Sequence, residues 1–222
     1  MIQKEHDLQI LIETGIVAVI RVDDPASLME TGLALNQGGV KALEITMTSP
    51  GALETIGEMS KRLGHEAVIG AGSILDPETA RMAILAGARF IVGPVMNLDM
   101  IKMCRKYSVL CIPGAFTPTE ILTAWEAGAD AVKVFPATKL GPQFFKDISG
   151  PLPQVRLTPT GGVNLENAGE FIKAGACFVG AGSSLVDKKL IVGKKWHEIS
   201  EMAQRFREVI RNAKKHHDML NW

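Results

Sequence analysis

The sequence is poor in the features that would place a chain on a membrane, outside the cell or on nucleic acid. It has three cysteines, Cys104, Cys111 and Cys177, with no CxxC spacing and an odd one left over. Structural disulfides are therefore not expected, and a reducing cytoplasm fits. No apolar stretch is long enough to span a bilayer. The N-terminal MIQKEHDLQILIETG carries acidic residues and lacks the continuous apolar core of a signal peptide. Lys+Arg and Asp+Glu are 24 each, a balance that offers no electrostatic argument for nucleic acid or anionic membrane. Histidines are few (His6, His65, His197, His216 and His217). None falls at a predicted strand end, and no HxH or HExxH occurs, so neither a metal nor another cofactor is expected. The His216-His217 pair reads as solvated surface. Aromatics make up 5%, and Trp125, Trp196 and Trp222 read as packing or tail residues.

What the chain does have is apolar residue in short, regular doses. At 46% hydrophobic it can build a sizeable core. Runs rich in Val, Ile and Ala alternate with longer helical patterns. The strand candidates are IVAVIR (16–21), KALEIT (41–46), AVIGAG (67–72), FIVGP (90–94), VLCIPG (109–114), AVKVFP (131–136), RLTPTGG (156–162) and CFVGAG (177–182). Helical segments lie between them: PASLMETGLALNQ, PETARMAILA, PTEILTAWEA and LENAGEFIKA. Several open on Pro or a capping residue (Asp76-Pro77, Thr117-Pro118, Asn164), and several close on glycine. Segment 2–13 predicts an extra helix ahead of the first strand, and 194–217 a last amphipathic helix. No linker or low-complexity segment divides the chain, so residues 1–222 are expected to form one domain.

A weak repeat runs through these units. QGGVKALEI, LAGARFIVG, EAGADAVKV and KAGACFVGA each read helix end, glycine, short turn, strand. Roughly eight such units suit a (β/α)8 TIM barrel, a fold of about 250 residues or slightly fewer. A doubly wound sheet usually has fewer strands and no such even spacing. Counting the same distance from each turn glycine leads to Glu44, Val92, Lys133 and Gly180. Alternate strands of a barrel fill its interior in layers of four side chains. Glu44 and Lys133 should then face each other across one layer, with Gly180 leaving room for a ligand.

This placement gives the lysine in DAVKVFPAT a purpose. Burial disfavours its charged form and lowers its pKa. A neutral amine is a nucleophile, used in enzymes to form Schiff bases with carbonyl substrates. A carboxylate nearby can move protons. Two bland alternatives stand beside this: a lysine that snorkels outward, or a buried structural ion pair with Glu44. Two glycine-rich stretches follow consecutive predicted strands, Thr158-Pro159-Thr160-Gly161-Gly162-Val163-Asn164 and Gly180-Ala181-Gly182-Ser183-Ser184. In barrels of this kind those loops bind phosphate through backbone N–H groups, although any β-α turn can need glycine.

Taken together, GIVAVIRV, ALEITMTSP, VIGAGSILD, PGAFTPTE, AVKVFPA, GPQFFK, PTGGVN and GAGSSLV resemble the 2-keto-3-deoxy-6-phosphogluconate aldolase family, which includes 4-hydroxy-2-oxoglutarate aldolases and 6-phosphogalactonate homologues. The resemblance runs in order from about residue 15 to 187. It implies a metal-free class I aldolase on a (β/α)8 barrel, a homotrimer acting on a phosphorylated 2-keto-3-deoxy acid and releasing pyruvate. It implies Lys133 as the Schiff-base lysine and Glu44 as the general acid/base. Ser73 stands where the family usually has threonine, near the pyruvyl carboxylate. Thr160, Gly161, Gly162, Gly182 and Ser183 correspond to the phosphate loops. Arg21 corresponds to a basic residue that contacts the substrate anion, and Pro94 and Phe135 to pocket walls. One position departs: many gluconate-specific members carry an arginine where this chain has Thr48. A hydroxyl there offers no bidentate charge-assisted pair to a carboxylate. Two rivals share the phosphate loops without needing the lysine: another phosphate-handling barrel enzyme, such as an epimerase or a thiamin-phosphate synthase relative, and a non-catalytic sugar-phosphate-binding barrel.

Overall fold

The computed structural model describes residues 3–220, with side chains described as far as Lys215. The side chains of His216 and His217, and Trp222, lie outside the described residues. The chain opens with helix α1 (Gln3–Thr14) and then alternates strand and helix: β1 (Ile16–Ile20), α2 (Pro25–Gln37), β2 (Ala42–Thr46), α3 (Ala52–Leu63), β3 (Val68–Gly72), α4 (Pro77–Ala86), β4 (Phe90–Val92), α5 (Leu98–Lys106) and β5 (Leu110–Ile112). It continues through β6 (Gly114–Ala115), α6 (Pro118–Glu126), β7 (Val132–Val134), α7 (Gly141–Ser149), β8 (Leu157–Pro159), α8 (Ala168–Lys173), β9 (Val179–Ala181), α9 (Lys188–Val192) and α10 (Trp196–Leu220).

All strand pairs are parallel. Six strands, in the order β5-β4-β3-β2-β1-β9, form a curled half-barrel, and β6-β7-β8 form a second sheet. The expected fifth strand, VLCIPG, is split in two at Pro113. Proline has no N–H to give to a ladder. The piece before it pairs with β4, and the piece after it turns to pair with β7. Gly114 is required there, since a Cβ would fall 2.3 Å from the Pro94 carbonyl oxygen. A single bridge, Thr160 to Gly180, ties the second sheet to β9.

Alternation along each strand sorts the apolar residues into two bodies. Ile16, Ala18, Ile20, Leu43, Ile45 and Ile69 pack outward beneath the helices. Val17, Ala42, Val68, Phe90, Leu110 and Phe178 fill the inside of the curl. Phe90 fits because Gly70 has no side chain: a Cβ there would lie 2.4 Å from the ring. Helix α1 covers one end of this interior. Its Leu11 joins the inner cluster, its Asp7 pairs with Arg89 just ahead of β4, and its Lys4 sits 2.9 Å from Asp130 just ahead of β7. The covered end is therefore where strands begin, and the end where strands finish stays open.

Helix starts follow the capping residues. Asp76 accepts from the Thr79 amide at 2.6 Å, and Thr117 forms a capping box with Glu120. Asn164 behaves otherwise. It was expected to open a helix, but Asn164 and Asn167 exchange amide-to-side-chain hydrogen bonds of 2.8 and 3.0 Å, and α8 starts only at Ala168. An asparagine can bond its own neighbouring backbone and so hold a turn in place of a helix. Among the described residues no helix is long and apolar enough to cross a membrane.

Candidate active site

At the open end the strands and their following loops line a cavity of about 580 Å³. β1 brings Val19 and, just past its end, Arg21. β2 brings Glu44, β7 brings Lys133, and Ser73, Pro94 and Phe135 follow β3, β4 and β7. The loop after β8 contributes Thr160 to Asn164, and the segment after β9 contributes Gly182, Ser183, Ser184, Val186 and Lys188. Nearly every sequence-predicted site residue thus lines one cavity. Thr48 does not. It is exposed past the end of β2, and its hydroxyl donates to Thr46 Oγ1 at 3.2 Å.

Lys133 and Glu44 are 6% and 3% exposed. This removes the snorkelling alternative for the lysine. Nor do the two form a salt bridge, which would need nitrogen and oxygen within 4.0 Å of each other. Burial holds the Lys133 amine below the usual lysine value; Glu44 opposes that and Arg21 reinforces it. Burial likewise holds the Glu44 carboxyl above the usual carboxylate value, against the pull of Lys133 and Arg21. The two groups thus influence each other across the cavity without direct ion-pair contact. The Lys133 Nζ lies 4.9 Å from the centroid of the Phe135 ring, which walls that side.

Glycines make the space for these groups, though not all as expected. Gly72 makes room for the carboxylate: a Cβ would meet Glu44 Oε1 at 1.8 Å. Gly180 was expected to open the layer to a ligand. Its space is instead occupied by Thr160, whose Oγ1 would lie 2.5 Å from an added Cβ, and Gly180 does not line the cavity. Val92, the other member of that layer, joins the inner apolar cluster. Ser73 has φ of 61°, in the left-handed region, where a β-branched residue is disfavoured, so serine suits this backbone better than threonine would.

The glycine-rich loops converge on the same cavity. Gly161 and Gly162 both have positive φ, +89° and +74°, and the Asn167 side chain holds this turn by donating to the Gly162 carbonyl at 2.9 Å. Ser184 Oγ donates to the Val163 carbonyl at 2.5 Å and joins the two loops. Their glycines differ in what they tolerate. A Cβ on Gly162 would strike Thr138 at 1.7 Å, whereas one on Gly182 meets nothing nearer than Val19 at 3.9 Å and faces the cavity. Gly182→Ala should therefore keep the melting temperature of the wild type and, on the phosphate-loop role that the resemblance implies, raise KM for phosphorylated substrates more than for unphosphorylated ones. Gly162→Ala should lower the melting temperature and impair both substrates. An equal loss for both substrates in Gly182→Ala would show that the loop serves the fold alone.

Val19, Val186 and Lys188 line the cavity without having been singled out, and Val163, Asn164 and Ser184, named only as parts of the two loop stretches, line it too. Val19 was readable by strand parity, since it lies between Val17 and Arg21 on the inward face. Lys188 had no sequence signal. Among the described residues no group of three or more His, Cys, Asp and Glu could hold a metal ion.

A buried amine and a buried carboxyl thus share one cavity at the open end of a parallel strand bundle, an arrangement able to do carbonyl chemistry. Comparison with known proteins narrows the class. The family model for KDPG and KHG aldolases matches residues 8–202, and the chain belongs to that aldolase family. It is 32% identical over 205 residues to the 2-dehydro-3-deoxy-phosphogluconate aldolase of Pseudomonas aeruginosa, covering 92% of this chain and 93% of the relative. It is also 32% identical over 196 residues to the 2-dehydro-3-deoxy-6-phosphogalactonate aldolase of Escherichia coli, covering 88% and 96%. Among solved structures, the Legionella pneumophila KDPG aldolase with pyruvate captured as a covalent carbinolamine superposes with a TM-score of 0.83 at 28% identity, over 89% of this chain and 96% of that one.

Proposed function

We propose that this chain is a class I aldolase that cleaves a phosphorylated 2-keto-3-deoxy acid to pyruvate and an aldehyde through an imine on Lys133. The observation that carries this reading is the pairing of a buried, charge-disfavoured amine with a buried carboxyl, without a salt bridge, on the wall of one cavity. The neutral amine of Lys133 adds to the C2 ketone to give a carbinolamine, which loses water to a protonated imine. Glu44 takes the proton of the C4 hydroxyl, directly or through a water. The C3–C4 bond breaks, its electron pair moves into the imine, and the aldehyde leaves. The resulting enamine is protonated at C3, with Glu44 placed to return the proton. Water then hydrolyses the imine, releasing pyruvate and the free lysine.

The roles of the other lining residues are those that the resemblance gives them, supported by their place on the same cavity. Ser73 and Arg21 bind the substrate's carboxylate end, and Thr160, Gly161, Gly162, Gly182 and Ser183 bind its phosphate. In the 6-phosphogluconate case the aldehyde is glyceraldehyde 3-phosphate. A 6-phosphogalactonate preference is the second reading. It rests on Thr48, which stands where many gluconate-specific members of the family carry arginine and lies outside the cavity; the equal identity to relatives of both names favours neither. A retro-aldol assay over both phosphorylated acids and 4-hydroxy-2-oxoglutarate, with pyruvate read by coupled lactate dehydrogenase, separates these readings. It also tests the non-catalytic sugar-phosphate barrel, which would release no pyruvate.

The remaining features belong to the same proposal. The two sheets are taken as one (β/α)8 barrel in a single domain, supported by the Thr160–Gly180 bridge and by the unbroken run from β5 to β6. A homotrimer is what the resemblance implies, and Leu75, Met82, Leu85, Val95, Leu98 and Phe116, large apolar side chains left 40% or more exposed on neighbouring units of the chain, offer an apolar contact surface for self-association. A reducing cytoplasm is consistent with Cys104, Cys111 and Cys177 all being free thiols.

A pH dependence follows with a definite sign. Glu44 must be ionised to accept the C4 proton, and burial raises its pKa above 4.5. Turnover should therefore fall on the acid side through a pKa above 4.5. A pH–kcat profile that stays flat down to that value would remove Glu44 from the proton transfer.

A further inference from the structure

The charge lining of the cavity contains one cation that the proposed chemistry leaves unused. Arg21, Lys133, Lys188 and Glu44 are its charged residues. Arg21 acts electrostatically on both Lys133 and Glu44, which puts it at the reacting end. Lys188 opens α9, four residues past Ser184, lines the same cavity, and is not among the charges acting on Lys133 or Glu44. There its Nζ lies 3.1 Å from Oδ2 of Asp23, in the loop after β1, so the ion pair bridges two loops at the rim. The side chains are 62% and 88% exposed. Lys188 also lines an adjoining cavity of about 240 Å³ with Asp23, Asp24 and Lys194.

An exposed lysine–aspartate pair is weakly held, because water and salt screen it and two mobile side chains must be fixed. A phosphate monoester brings close to two negative charges and three acceptor oxygens. It would compete well against one carboxylate for the same ammonium. A substrate with a phosphate on the glycine-serine loops would place that charge beside Lys188.

We propose that Lys188 is a phosphate-binding residue held by Asp23 until a phosphate displaces it, and that exchange of Asp23 for the substrate's phosphate sets the preference for phosphorylated over unphosphorylated 2-keto acids. Asp23 is then an internal competitor: it keeps the lysine at the rim and weakens every phosphate ligand. The identity of the substrate rests on the aldolase reading, but the phosphate contact does not.

The test uses sn-glycerol 3-phosphate as probe and glycerol as its uncharged reference, titrated calorimetrically at low salt into the wild type, Lys188→Gln, Lys188→Arg and Asp23→Asn. Pyruvate–borohydride labelling is run on each in parallel. Loss of one charge-assisted hydrogen bond should weaken glycerol 3-phosphate binding about tenfold in Lys188→Gln, and Lys188→Arg should restore most of it. Asp23→Asn should tighten binding by about twofold to threefold, the scale of an exposed ion pair. In the retro-aldol assay Lys188→Gln should raise KM for the phosphorylated acid more than for 4-hydroxy-2-oxoglutarate. Equal affinities for wild type and Lys188→Gln, or no binding by either, would overturn the assignment whatever the labelling shows. Lys188-dependent binding without any pyruvate labelling would instead remove the aldolase reading and leave the phosphate contact standing.

Discussion

Lys133→Arg should abolish retro-aldol cleavage, with a loss on the order of 10⁴-fold or more, the scale seen when a covalent catalytic group is removed. The substitution keeps a cation beside Glu44 and so isolates the nucleophile from the charge. A guanidinium stays protonated at any working pH and cannot form an imine. Lys133→Ala should be equally inactive for a different reason: the amine and its charge are both gone. Lys133→Ala should remain folded, since burial already disfavours the ammonium at this position and its removal relieves a desolvation cost, whereas Lys133→Arg buries a cation that cannot shed its charge and should melt lower. A thermal melt of each variant beside its activity separates chemistry from unfolding. Substantial turnover in Lys133→Arg would refute the covalent mechanism outright.

Glu44→Gln should lower kcat by about 10²–10⁴-fold, the usual worth of general acid/base catalysis. The amide is close to isosteric, and the absence of a side chain at Gly72 leaves its terminal atoms the room the carboxylate has now. The variant should still form an adduct with pyruvate, because attack on the ketone belongs to Lys133. The part of the acid limb that belongs to the carboxyl should be lost, leaving the fall set by protonation of Lys133. Unchanged turnover in Glu44→Gln would take this residue out of the mechanism and leave Lys133 without its proton carrier.

How much of this was legible in the sequence depended on whether the governing contact was local. Apolar alternation placed the strands, and α2 and α4 run over the residues that their opening Asp-Pro pairs and closing glycines mark. The break of the fifth strand at Pro113 is a local effect that a VLCIPG run conceals, because the pattern of apolar residues continues across a residue that cannot donate. Counting from the turn glycines brought Glu44 and Lys133 into one cavity, since turn and strand lengths repeat in those units. The same count misjudged Gly180. Which neighbour fills the space above a glycine is set by a different strand, and Thr160 takes it. Thr48 lies two residues beyond β2, where the strand's alternation no longer dictates direction. Lys188 could not be read at all. Its partner Asp23 is 165 positions away, and five-residue α9 is too short to carry a periodic signal.

The central claim is that Lys133 attacks the substrate carbonyl. The most direct test incubates the protein with pyruvate near neutral pH, reduces with borohydride and maps the added mass by peptide spectrometry. The predicted result is one stable adduct on the peptide spanning 130–139, at Lys133 and not at Lys139, which is exposed and outside the cavity lining. The label should be absent from Lys133→Arg and retained by Glu44→Gln. An unlabelled protein that nevertheless releases pyruvate in the retro-aldol assay, or a label placed on Lys139, would contradict it.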